Sequence, residues 1–412
     1  MRSDEHGDRV KGLAIDRWLW HILTAYPHQL MIGLLLAASV VIRICLAPET
    51  GLSADYDMFI KAWPEKYREL GFIRGMGQVI GDYYVPFNIM YAIVGLSPWE
   101  PWVLTALFSS IMDYLTAFAV FLTVRELLTE RGDSHAAIKA GYMAAIICLL
   151  PFVFMNSALW KQVDAFYISF AMLAVYFLLR DRTTTACVLL GISLAFKLQA
   201  VFFLPFFMLI YIIRRNYSIL KLLWLPVIYL IAGIPAVLCR RGLRATYLTY
   251  VMQMREGEEA SEGYGMVALY PNLYNFGMDD YLTRLALPAV LITFAILLLS
   301  IVLVMSRASS VTNTQLWYVL AWQLWTCTMF LPSMHDRYDY GAVLIFSMLM
   351  CVMPGLSAMP AAVLNIGSFM LYAGAADAVE LPMQAMSVIY AAAWCVTTYH
   401  MVRMIRGGRG DA

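Results

Sequence analysis

The chain has 412 residues, of which 61% are hydrophobic and only 14% charged, with a mean hydropathy of +0.68 and a formal net charge of +1. Soluble domains carry roughly a quarter charged residues, so this composition excludes a soluble globular protein and marks a polytopic membrane protein. The net charge says little about partners, because the placement of charge in loops rather than its sum decides topology.

Residues 1–29 are mixed in charge and rich in aromatics, carry no cleavable secretion signal, and read as a cytoplasmic segment. About twenty apolar residues cross a bilayer core, and on that rule candidate spans fall near 30–48, 102–124, 138–156, 163–179, 184–198, 200–213, 219–238, 282–305, 315–332, 338–354, 360–375 and 383–402. Stretch 186–213 reads as a tight hairpin with Lys197 and Gln199 at its corner. Segment 83–97 (YYVPFNIMYAIVGLS) is apolar enough to suggest a further span. If it crossed, the basic connections Arg125–Lys139, Arg180–Arg182 and Arg214–Lys221 would all lie outside; as an interfacial amphipathic helix it leaves them in the cytoplasm, as the positive-inside rule requires. The expected fold is therefore a single all-α membrane domain, 1–412, of about twelve transmembrane helices. It has two long extracytoplasmic loops, 49–101 and 239–281, that cover a site, and a cytoplasmic tail, 403–412. The seven cysteines are scattered without Cys-x-x-Cys or Cys/His spacing and read as small buried hydrophobes.

On this topology the unusual polar residues gather at the outer face. They are Asp55, Asp57, Trp63 and Asp82 in the first loop, NSALWKQVDAFY at 156–167, FKLQ at 196–199, CRRGLRATY at 239–247 and PSMHDRYDY at 332–340. Lys197 is costly in an apolar helix and is expected to neutralise an anion. Arg240, Arg241 and Arg244 breach the positive-inside preference and point to lipid phosphate. Asp113, alone in the middle of its span, is expected to hold a neighbouring helix by hydrogen bonding. A carboxylate that accepts a proton and cations that stabilise a phosphate leaving group are what sugar transfer from a polyprenyl phosphate demands. A transporter would place polar groups along a midplane path and show two similar halves, which the sequence does not.

Five blocks, ADYDMFIKAW, GDYYVPFNIMY, NSALWKQVDAFY, FKLQAVFFLP and MHDRYDY, resemble in order those of the GT-C glycosyltransferases, in particular the bacterial group related to the GPI-anchor mannosyltransferases. The resemblance runs from about 50 to 345. It implies an inverting glycosyltransferase that moves mannose or another hexose or pentose from a polyprenyl-phosphate (undecaprenyl-phosphate) donor. The acceptor would be a cell-envelope glycan, a lipid-linked oligosaccharide or a protein on the outer side of a bacterial inner membrane. The alternative is a transporter or flippase of a lipid-linked sugar. By the resemblance the base is Asp55. Asp57 and Asp164 are expected as secondary acids, and Lys197 and Arg337, cations at the outer ends of different helices, as donor-phosphate ligands with Arg240 and Arg244 as further candidates. Tyr56, Trp63, Tyr84, Trp160, Gln162, Gln199, His335 and Asp336 would contact sugar or acceptor. No cofactor is implied, no metal ligand set is indicated, and no nucleic-acid partner is expected. The chain departs from the family pattern at Val85 (a proline there), Lys161 (a glycine) and Asp336 (a glutamate).

Overall fold

Backbone polar groups have no partner in hydrocarbon, so apolar stretches of this chain can enter a bilayer only as helices that satisfy their own hydrogen bonds. The computed structural model describes residues 13–52, 55–252, 265–375 and 380–407, and within them the protein is helical apart from one isolated bridge, Val267 with Met334. Each of the twelve apolar stretches contains a helix. Length and apolarity qualify six of these to cross a membrane: Pro27–Leu46, Pro101–Glu130, Ile219–Leu238, Asp279–Met305, Pro354–Gly374 and Met383–Gly407. Ala136–Ile147 and Pro151–Leu159, bent by 53° about their junction, make a seventh if they count as one span. Shorter apolar helices, among them Asp164–Leu179, Thr183–Phe196, Leu198–Arg214 and Tyr340–Leu349, cannot bridge a core of about 30 Å at about 1.5 Å per residue. They pack inside the bundle instead. The helix Asn313–Phe330 is buried along nearly its whole length but is too polar to qualify as a span. Its polar groups are met by neighbouring helices: Trp322 Nε1 donates to Thr398 (2.7 Å) and Gln323 to Ser300 (3.1 Å). The outer helices turn Leu230, Ile231 and Ile234, and Leu291, Phe294 and Leu298, outward, as a lipid-facing surface requires.

The first loop corrects the sequence reading. Residues 83–97 do form a helix, Val85–Leu96, but Val85, Phe87, Asn88, Met90, Tyr91, Ala92, Val94 and Gly95 are all buried. A helix lying in the interface would keep a polar face in water; this one packs on Ala62–Met76 and shares a second apolar core with Phe166, Ala195, Ala236 and Tyr250. Arg241 locks the pair to the bundle, donating to the Met76 carbonyl (3.0 Å) and to Asn88 (2.8 Å). The cysteine reading also needs adjustment. All seven thiols are free, but only Cys148, Cys187 and Cys327 are buried; Cys239 and Cys351 are half-buried and Cys45 and Cys395 exposed. The part of the second loop from 253 to 264 lies outside the described residues.

The bundle has two polar ends. At one, Arg214 ties the Leu179 carbonyl (2.6 Å), Asp181 (2.7 Å) and Asn313 (2.8 Å), and Asn313 donates to Glu130 (2.6 Å). The other end lies a helix length away, at the start of Asp164–Leu179, and holds Asp164 with Lys197 and Arg337 against it.

Candidate active site

Two π-helical turns, Tyr56–Lys61 and Met155–Leu159, deliver the first-loop acid and the NSALWKQVD block. Such wide turns interrupt the regular ladder and re-aim side chains, and they are frequent at functional sites. Asp55 precedes the first, and its Oδ2 accepts a hydrogen bond from Gln162 Nε2 at 2.8 Å. The chain leaves the second through Trp160 and Lys161 and enters the helix Asp164–Leu179 at Asp164. The hairpin breaks at Lys197, which is extended between Thr183–Phe196 and the 3₁₀ turn Leu198–Phe203, so its ammonium projects back onto Asp164.

Asp164 is fully buried and paired on both oxygens. Lys197 Nζ bonds Oδ1; Asn156 Nδ2 donates to Oδ2 at 3.0 Å, and Arg337 Nε stands 3.5 Å from the same atom. Arg337 also meets Asp336 at 3.3 Å and lies 6.0 Å over the Trp160 ring. Lys197 is surrounded by the rings of Tyr83 (6.0 Å), Tyr167 (6.0 Å) and Tyr338 (5.8 Å). Burial pushes the Asp336 carboxyl up to about 6; Arg337 opposes that shift, while the negative charges of Asp164 and Asp55 add to it. Asp55 and Asp336 thus sense one another although they come from opposite ends of the chain. Burial, together with the positive charges of Arg337 and Lys197, pulls His335 down to about 3, so its imidazole is neutral. Burial pulls Lys161 down to about 8, with Glu49 opposing.

The structure thus brings together Asp55, Gln162, Asp164, Lys197, His335, Asp336 and Arg337, with the rings of Tyr56 and Trp160 alongside: the Lys161 ammonium lies 5.8 Å over Tyr56. Gln199 lies on the 3₁₀ turn after Lys197 and bonds Tyr338. Trp63 packs among Phe59, Tyr83 and Tyr91 and so supports the site from behind. Tyr84 is corrected. It stacks on Tyr229 (4.0 Å), donates to the Tyr229 carbonyl (2.7 Å) and is fully buried in the second core, whereas its neighbour Tyr83 faces Lys197. Asp57 is 76% exposed and 3.9 Å from Lys61, a solvated ion pair. Arg240 and Arg244 are exposed and enter none of these pairings, while Arg241 is structural. The anion that neutralises Lys197 is internal, Asp164, so the lysine's presence needs no external phosphate to explain it. The sequence reading missed Tyr83, Asn156, Tyr167 and Tyr338 as site residues. Each sits beside a residue it did single out or within a quoted block, and the signal for Tyr338 was its position next to Arg337. Among the described residues no three His, Cys, Asp or Glu side chains are grouped to hold a metal ion.

An all-helical protein with membrane-length apolar helices and a cluster of carboxylates and cations at one end of its bundle is an integral membrane protein with an active-site-like centre. Residues 83–308, more than half of the chain, match glycosyltransferase family 87, and the chain belongs to that family. It is a membrane glycosyltransferase of the GT-C type. No curated protein matches it. The matched residues include Trp160, Gln162, Asp164 and Lys197; Asp55, Asp336 and Arg337 lie outside them and are joined to them by the fold.

Proposed function

We propose that the protein is an inverting glycosyltransferase that moves a hexose or pentose, mannose among the candidates, from a polyprenyl-phosphate donor to an envelope glycan, lipid-linked or protein acceptor. The reaction takes place at the extracytoplasmic face of a bacterial inner membrane. Asp55 is the base. The acceptor hydroxyl attacks the anomeric carbon, its proton passes to the Asp55 carboxylate, and the anomeric C–O bond breaks with its electron pair leaving on the phosphate. A phosphate oxygen is already a weak base, so it needs positive charge rather than a proton, and Lys197 and Arg337 are the candidates to supply it. Both already share Asp164, so the phosphate joins an existing network in which further N–H donors of Lys197 and Arg337 turn toward it. Asp164 acts as the anchor that keeps two cations side by side without their mutual repulsion.

The observation that carries this reading is the approach of Asp55, held by Gln162, to the group built on Asp164, Lys197, Asp336 and Arg337. A path for alternating access would string such groups through the bundle; here they share one end. The test is transfer by the purified protein in lipid with a panel of polyprenyl-phosphate sugars. Loss of a positioned base costs about 10² to 10⁴ in rate, so Asp55→Asn should lose that much while Asp57→Asn keeps near-normal transfer. The opposite pattern would reassign the base.

A further inference from the structure

Lys161 occupies a backbone position that a side chain rarely tolerates. Its φ is 54°, in the left-handed region where glycine rests without a steric cost. A residue with a Cβ stays there when surrounding contacts over-determine it. The contacts are explicit: the buried Lys161 ammonium donates to the carbonyl of Glu49 and, at 2.9 Å, to that of Leu159, and it lies 5.8 Å over the Tyr56 ring. The next residue, Gln162, donates to Asp55 at 2.8 Å. One tight turn therefore grips the first-loop segment at Glu49 before its acid, at Asp55 itself and at Tyr56 just after it.

We propose that Lys161 is a positioning residue for Asp55: its long side chain pins the segment that leaves the first membrane helix, so that Gln162 meets the Asp55 carboxylate in one fixed orientation. The inference rests on Asp55 being the base. A glycine at 161 would satisfy the backbone equally well, but it would leave the Glu49 carbonyl without this donor and the segment without the Lys161 tether. A substrate-binding lysine would instead hold its N–H groups toward the acceptor or donor, whereas here two of them are engaged by main-chain carbonyls.

Lys161→Gly and Lys161→Asn test this, because both residue types accept a left-handed backbone and neither can reach Glu49. Two readouts are needed. In lipid nanodiscs without substrate, amide hydrogen exchange in the peptides carrying Glu49 and Asp55 should quicken in both variants, while peptides from Asn313–Phe330 stay as protected as in the parent. With polyprenyl-phosphate mannose, or whichever donor the panel identifies, kcat should fall about 10- to 100-fold with KM unchanged, since small misplacement of a reacting group costs about that much. Lys161→Gly should cost nothing further when Asp55 is already Asn. Unchanged exchange in both variants overturns the clamp. A raised KM with an unchanged kcat overturns it too, by making Lys161 a substrate contact. The base reading fails separately, through an active Asp55→Asn protein.

Discussion

Asp336 carries its pH response within a single side chain. With its carboxyl pushed up to about 6 by burial and by the charges of Asp164 and Asp55, it is ionised and paired with Arg337 above that pH and neutral below it. Transfer should therefore show a limb near pH 6 that disappears in Asp336→Asn. His335→Gln should leave the limb in place, because His335 stays neutral down to about 3. The stability consequence has a definite sign. A carboxyl raised above its ordinary value of 3.8 binds more protons folded than unfolded between about 4 and 6, so its contribution favours the fold at low pH and is lost as pH rises through about 6. Asp336→Asn should be the more stable protein at pH 7.5, and the difference should shrink on acidification to pH 4; a thermal melt series would read it, and a gap that widens toward low pH would reverse the assignment. That the blocks carrying Asp55 and Asp336 gather in one place was legible in the sequence, because they hold unusual polar residues in apolar surroundings. The choice between Tyr83 and Tyr84 was not. Adjacent tyrosines differ in sequence by one position, but at the start of a helix one faces Lys197 and the other stacks on Tyr229, a distinction set by a partner helix far along the chain.

At the scale of elements, the pairing of Ala62–Met76 with Val85–Leu96 places Trp63 and Tyr83 beside the charged cluster. That pairing depends on Gly95. A Cβ there would stand 2.1 Å from the Pro64 carbonyl oxygen and 2.9 Å from its carbon, and backbone cannot swing aside as a side chain can. Gly95→Ala should destabilise the protein by about 1 to 3 kcal/mol, the usual range for overpacking. Transfer should fall with it, as Tyr83, backed by Trp63, shifts off Lys197. Gly33→Ala, with nothing within 4 Å, is the control and should melt like the parent; equal melting of all three proteins would mean that the helix pair has room to separate. The charge argument treated 83–97 as an interfacial helix rather than one more long span, and the helix there, Val85–Leu96, is only 12 residues long and buried. It went astray on the helix's surroundings, because an apolar segment beside a bilayer and one beside another helix have the same composition. The break at Lys197, by contrast, could be read directly: a lysine and, two residues on, a glutamine inside an apolar run marked the corner of a hairpin, and the helix Thr183–Phe196 ends there.

The whole bundle is braced below the site by a buried ion pair that the sequence reading half found. It assigned Asp113 to hold a neighbouring helix; the partner is Arg43, near the end of Pro27–Leu46, whose Nη2 stands 2.8 Å from Asp113 Oδ2 and whose Nη1 donates to the Cys148 carbonyl at 2.8 Å. Ser157 donates to the same Asp113 oxygen, and its neighbour Asn156 donates to Asp164, so the pair joins three chain segments directly beneath the candidate active site. Removing one member strands the other charge in a dry interior, which typically costs about 3 to 5 kcal/mol, whereas replacing both with apolar residues of similar volume is often neutral. Arg43→Met and Asp113→Leu should each lower the melting temperature strongly and slow transfer, since Ser157 and Asn156 lose their footing. The double variant should recover most of the stability, because no lone charge remains, yet stay impaired in transfer, because Ser157 still lacks the Asp113 oxygen that orients the turn carrying Asn156. Thermal melts and transfer rates on the four proteins make a double-mutant cycle. Additive losses in stability would show that Arg43 and Asp113 do not act as a pair, and a double variant with full activity would separate the brace from the chemistry above it.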